Sequence, residues 1–128
     1  MKIDFANLNH QYRLYQSEID NRISSVLEKS NYIMGEEIVE LEQSLSDFTS
    51  TKYCVSCSNG TDALILALLA CDISPGDEVI TTPFTFISTA ETIAFLGAVP
   101  VFVDVFEDTF NIDTSKIEKK INKKTKAI

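Results

Sequence analysis

From Thr61 to Cys71 the sequence TDALILALLAC is apolar on nearly every side of a helix, and a helix without a polar face has to be enclosed. That requirement rules out a helix lying on a surface and calls for a layered fold. The flanking segments supply the layers. Tyr53 to Cys57 is a short apolar run that reads as a buried strand, and Ser58-Asn59-Gly60 reads as a turn. Beyond the helix, Ser74-Pro75-Gly76-Asp77 makes a turn and Glu78 to Thr81 a strand that ends before Pro83. A helix from about Ser88 to Leu96 follows, with Gly97 as its C-terminal cap, and then Val101 to Val105 as a strand buried on both faces. Short apolar strands alternating with helices predict an α/β fold whose mostly parallel sheet carries helices on both faces.

Upstream, Ile19, Ile23, Val26 and Leu27 recur at helical spacing and predict an amphipathic helix from about Tyr15 to Lys29. Ser30-Asn31 breaks it, and Tyr32-Ile33-Met34-Gly35 forms a compact apolar connection. A second helix should turn Ile38, Leu41, Leu45 and Phe48 inward, with Glu36 and Glu37 suited to the positive end of its dipole. At the other end, Ile117 and Ile121 at spacing four predict a solvated helix with an inward apolar edge. Lys124-Thr125-Lys126-Ala127-Ile128 then leads into a further strand. No repeat, low-complexity stretch or linker divides the 128 residues, which predicts one domain.

A formal charge of -8 argues against a nucleic-acid partner, since neutralising phosphates takes clustered Lys and Arg. The lysines from Lys116 to Lys126 are read as the solvated face of the last helix rather than as a polyanion patch. The longest apolar run, Ala63 to Cys71, is too short to span a bilayer, and Met1-Lys2-Ile3-Asp4 lacks the order of a signal peptide. A cytoplasmic protein that engages no membrane is expected. Cys54 and Cys57 form a C-x-x-C, but positions three apart on a strand face opposite sides, and no second pair or histidine cluster completes a metal site. They are expected to be small buried apolar residues, with no metal bound.

Ser58-Asn59-Gly60-Thr61-Asp62-Ala63-Leu64 places a glycine turn between a strand and a buried helix. Free N–H groups and the positive dipole end at such a helix start favour a phosphate, glycine lets it approach, and the Thr61 hydroxyl adds a donor. A turn with Thr as N-cap is also an ordinary way to begin a helix, so both readings stand on this segment alone. It is neither G-x-x-x-x-G-K-[ST] nor G-x-G-x-x-G, which removes support for nucleotide triphosphates and dinucleotides. A second cluster, Thr82 to Ala90, follows a strand at the end where ligands of open α/β sheets bind. Phe84 and Phe86 there suit either a core or stacking on a planar cofactor ring.

Together these segments resemble a known family. Ser58 to Leu64, Pro75-Gly76-Asp77-Glu78-Val79-Ile80, Thr82-Pro83-Phe84-Thr85-Phe86-Ile87-Ser88-Thr89-Ala90 and Gly97-Ala98-Val99-Pro100-Val101-Phe102-Val103-Asp104 resemble, in order and spacing, the DegT/DnrJ/EryC1/StrS sugar aminotransferases. Tyr32-Ile33-Met34-Gly35-Glu36-Glu37 and Phe110-Asn111-Ile112-Asp113 fit as well. The resemblance implies part of a fold-type I large domain binding pyridoxal 5'-phosphate, preceded by an N-terminal helical segment. It also implies a homodimer with active sites at the subunit interface. It assigns the cofactor phosphate to Gly60, Thr61 and Asp62, the ring-stacking aromatic to Phe86, and a loop near the sugar to Tyr32, Met34 and Gly35. The Asp62 carboxylate should turn away from the phosphate while its N–H faces it.

In that family the lysine joined covalently to the cofactor, the aspartate that pairs with the ring nitrogen and a nearby glutamine belong to later parts of the chain. The expectation is therefore that residues 1–128 are the N-terminal segment and first part of the large domain, carry no catalytic residue and are inactive alone. The parent enzyme is expected to move an amino group, from glutamate, to a nucleotide-linked keto-sugar such as a UDP-3-keto-glucuronic acid derivative. Two alternatives stand beside it: a nucleotide-sugar 3-dehydratase of the same family, and a non-catalytic folding or binding unit.

Overall fold

The computed structural model describes residues 5–128, so the leader reading of Met1 to Asp4 lies outside the described residues. The chain divides into two compact units, one ending at Ser56 and one running from Cys57 to Ile128.

In the first unit, helix α1 spans Leu8–Lys29, starting earlier than Tyr15 because Asn7 caps it, its side chain accepting from the His10 N–H at 2.9 Å. Ser30, left-handed at φ 53°, ends it and returns its N–H to the Leu27 carbonyl. Helix α2 spans Glu36–Thr49 with Gly35 as N-cap. Arg22 pairs with Glu40 at 2.6 Å and Lys29 with Glu36 at 2.5 Å, linking the helices through exposed ion pairs. Val26 and Ile38 are half-buried, but Leu41, Leu45 and Phe48 are exposed, against the inward face expected of them. Two helices joined by a short loop cover only the strip between them. Ser46 is the buried residue of α2, its hydroxyl donating to the Thr51 carbonyl at 2.7 Å.

The expected strand from Tyr53 to Cys57 does not form. Tyr53 and Val55 are exposed, Cys54 is half-buried and Cys57 exposed, so the cysteines are not buried core residues either. A strand exists through its ladder, and this segment has no ladder partner among the described residues.

In the second unit, helix α3 spans Gly60–Ala70, strand β1 Glu78–Thr81, helix α4 Ser88–Phe95, strand β2 Val99–Phe102 and strand β3 Thr125–Ala127. The sheet order is β2-β1-β3, both pairings parallel. β1 is central, with Val79 and Ile80 buried between its neighbours. Gly97, at φ +74°, lets the chain leave α4 and enter β2 two residues earlier than Val101, and Val103 is buried beyond its end. Ile73, Val79, Ile93 and Ala98 form the core, with Leu68, Leu96 and Ala127 packed against it.

Two expectations fail here. No residue of α3 is buried, and Leu64, Leu66 and Leu69 remain 38, 48 and 50% exposed, because α4 and the sheet cover one side of a helix that is apolar all round. The lysine-rich tail forms two short turns of 3-10 helix, Thr114–Lys116 and Glu118–Lys120, with Ile117 half-buried and Ile121 exposed. Asp113 caps the first of these turns: its carboxylate takes the Ser115 N–H at 3.0 Å, the Ser115 hydroxyl at 2.6 Å and the Lys116 ammonium at 3.0 Å. The expected terminal strand does form, as β3.

Candidate functional site

The start of α3 is built by Asn59, whose Oδ1 accepts the Asp62 N–H at 3.0 Å, while its carbonyl accepts the Ala63 N–H at 3.1 Å. The N-cap is thus Asn59 rather than Thr61. Those two bonds leave the N–H groups of Gly60 and Thr61 without an intramolecular acceptor, and both face outward from the helix start, where its dipole is positive. The Thr61 hydroxyl likewise makes no hydrogen bond among the described residues. Asp62 turns its carboxylate onto the Ser58 hydroxyl and, at 3.2 Å, the Asn59 Nδ2, so it points aside as expected of a carboxylate beside an anion. Its N–H, however, is already held by Asn59.

Gly60 shows what the turn is open to. A Cβ built there meets nothing within 4 Å, and its φ is not positive. Neither crowding by the protein nor a left-handed backbone calls for glycine at this position. Glycine thus leaves open space beside a helix start with two N–H groups free of acceptors among the described residues, which suits the approach of a phosphate.

Phe86 sits in the loop that follows β1. Its carbonyl accepts the Thr89 N–H at 3.2 Å, fixing its backbone at the start of α4, while its ring is 74% exposed. Phe84 instead stacks on Phe110, ring centres 5.3 Å apart, so neither phenylalanine is a core residue. A short connection joins the C-terminus of α3 to the start of β1, and Leu64, Leu68, Val79 and Thr81 line one cavity, so α3 runs back along β1. The helix start at Gly60 and the loop carrying Phe86 therefore lie at the same end of the sheet, the C-terminal end of its strands.

Tyr32, Met34 and Gly35 belong to the first unit. Tyr32 and Met34 are exposed, Met34 at φ 50°, whereas Gly35 is buried and a Cβ on it would lie 2.8 Å from the Asn31 carbonyl oxygen. Local packing accounts for that glycine. In the same unit, sequence reading passed over Glu42, whose carboxylate accepts the Ser56 N–H and hydroxyl, each at 2.8 Å. The Ser56 N–H, and then its hydroxyl, hold the Glu42 carboxyl below the usual carboxylate range. Ser58 and Asn59 also take part in the turn, both hydrogen-bonded to Asp62. The spacing Asn59-x-x-Asp62, that of a capping box, is the signal that would have found their bonding.

The sequence profile of the DegT/DnrJ/EryC1/StrS aminotransferase family matches residues 14–128. The chain belongs to this family. Among its relatives, a UDP-2-acetamido-2-deoxy-3-oxo-D-glucuronate aminotransferase of Pseudomonas aeruginosa is 48% identical over 98% of the chain and 35% of its own length. DesV of S. venezuelae, solved in complex with a ketimine intermediate, superposes with a TM-score of 0.92 at 34% identity, over 97% of this chain and 33% of that one. The protein ntda from Bacillus subtilis, solved with the cofactor PMP, superposes at 0.89 and 33% identity, over 97% and 29%. The family member described here thus spans about a third of the length of these relatives. Its parallel α/β arrangement corresponds to part of a fold-type I domain.

Proposed function

We propose that this chain forms the phosphate- and ring-binding part of a pyridoxal-phosphate-dependent aminotransferase acting on a nucleotide-linked keto-sugar. The observation that carries the reading is Gly60, where a Cβ would meet nothing at a helix start with two N–H groups free of acceptors among the described residues, in a chain similar to a Bacillus subtilis protein solved with PMP. Gly60 and Thr61 donate their N–H groups, and Thr61 its hydroxyl, to the phosphate. Phe86 covers one face of the ring. Asp62 shares the turn. When bound, pyridoxal phosphate supplies an electrophilic carbonyl carbon and a ring that stores an electron pair. Tyr32, Met34 and Gly35 form the loop assigned to the sugar.

The 48% identity to the Pseudomonas enzyme supports a UDP-linked 3-keto-glucuronic acid derivative as acceptor and an amino acid, glutamate, as donor. The amino nitrogen of glutamate ends on the sugar carbon, whose keto oxygen leaves as water, and a second water supplies the oxo oxygen of 2-oxoglutarate; the donor carbon loses the two electrons that the sugar carbon gains. In this reading residues 1–128 are the N-terminal segment and first part of the large domain, inactive alone, of a cytoplasmic homodimer.

The test is turnover by the protein at its natural length with pyridoxal phosphate, glutamate and UDP-2-acetamido-3-keto-glucuronate. Amino-sugar and 2-oxoglutarate should appear in equal amounts. A dehydrated sugar would move the assignment to the 3-dehydratase. Failure of the cofactor to bind more tightly than pyridoxal, which lacks the phosphate, would sink the cradle reading and leave a non-catalytic unit.

A further inference from the structure

Between Cys57 and Ser115 the sequence contains no lysine, arginine or histidine. Within its own unit, Cys57 to Ile128, the start of α3 offers an anion backbone N–H groups, the helix dipole and hydroxyls, and the first cationic side chain along the sequence of that unit is Lys116. Against that background stands a carboxylate in the first turn, Asp62.

Asp62 acts on the turn in two ways. Its charge sits where the helix dipole is positive, so it offsets the potential that a phosphate would use. It also withdraws donors. The Ser58 hydroxyl has one proton and gives it to the Asp62 carboxylate, so Ser58 has none for a ligand. The Asn59 Nδ2 turns to the same carboxylate at 3.2 Å and, at 3.4 Å, to the Ser58 oxygen, while Asn59 Oδ1 occupies the Asp62 N–H. Of the polar side chains on this turn, the Thr61 hydroxyl makes no hydrogen bond to the described residues, and the two acceptors of Asn59 Nδ2 lie on one side of it, leaving its second N–H uncommitted.

We infer that Asp62 sets the strength of the cradle's grip on phosphate, holding it weak enough that bare inorganic phosphate stays unbound while a phosphate carried on a ligand with further contacts is retained. The inference rests on the phosphate-cradle reading above. A penalty applied equally to every phosphate has unequal consequences. Inorganic phosphate has nothing besides the cradle to hold it and drops below useful occupancy. A phosphate ester with a planar ring adds the face of Phe86 and stays bound.

The experiment uses the protein at its natural length, stripped of cofactor, and its Asp62→Asn and Asp62→Ala variants. Asparagine removes the charge at nearly constant shape. Alanine also releases Ser58 and is a strong helix former, so it guards against a variant that fails to fold. Inorganic phosphate is titrated directly by phosphorus NMR and as a competitor of pyridoxal phosphate. Both variants should bind inorganic phosphate about fivefold or more tighter than the parent, as expected for removing a like charge beside a dianion. Pyridoxal, which carries no phosphate, should bind all three proteins alike.

Equal or weaker phosphate binding in both variants overturns the inference and makes Asp62 an organiser of the turn. The underlying reading fails differently: the parent protein would then bind pyridoxal phosphate no better than pyridoxal, whatever the Asp62 variants do.

Discussion

Asn59 and Asp62 hold one another in both directions: the Asp62 N–H donates to Asn59 Oδ1 at 3.0 Å, and Asn59 Nδ2 donates to the Asp62 carboxylate at 3.2 Å. The pair fixes the first turn of α3 before any ligand arrives. Asn59→Ala removes both bonds and should cost about 1 kcal/mol of unfolding free energy, the usual value of an N-cap side chain. Urea denaturation followed by circular dichroism measures it, and an unchanged midpoint would show that the cap adds nothing.

Gly60→Ala separates stability from binding. Since an added Cβ meets no protein atom and the backbone is not left-handed, stability should hold or rise by a few tenths of a kcal/mol, alanine being the better helix residue. Phosphate approach should suffer, with affinity for pyridoxal phosphate falling about tenfold as one cradle hydrogen bond is lost. Equilibrium dialysis beside a thermal melt reads both. A drop in melting temperature without a drop in affinity contradicts the open-space account.

Gly35 behaves in the opposite sense. Its Cβ position lies 2.8 Å from the Asn31 carbonyl oxygen, a backbone atom that cannot rotate away. Gly35→Ala should destabilise by about 1–3 kcal/mol through overpacking at the start of α2. Denaturant unfolding compared with the parent protein tests the size and sign.

The Glu42 carboxyl, held low by Ser56, makes stability depend on acid. A carboxyl whose folded value is depressed adds stability that is present above its unfolded value of 4.5 and is lost as pH falls through its folded value. Glu42→Gln should therefore be less stable than the parent at pH 7, and the difference should shrink below about pH 4.5. Urea midpoints across a pH series show whether the two curves converge; parallel curves would mean that the Glu42 charge is not responsible.

Elements that a periodic pattern specifies by itself were legible in the sequence. The α2, α4 and β1 spans follow from apolar spacing and from Gly97, and the parallel sheet from the alternation of strand and helix. Features that depend on a neighbour were not. Tyr53 to Cys57 has the composition of a strand but no ladder to join. Leu41, Leu45 and Phe48 carry the right spacing for burial, yet the described residues of their unit leave them 49, 42 and 87% exposed. The glycine turn itself was readable from Ser58 to Leu64. That Asp62 would claim the Ser58 hydroxyl depends on a rotamer, which no spacing fixes.

The exposed leucines of α3 bear on how the protein is assembled. At 3.6 residues per turn, Leu64 and Leu66 point about 200° apart around the helix axis. Leu64 lines the cavity against β1, while Leu66 and Leu69 look the other way. No single flat surface reaches both sides, so the packing of α3 on α4 leaves Leu66 and Leu69 half exposed, and the apolar area they keep in water adds nothing to the stability of this unit.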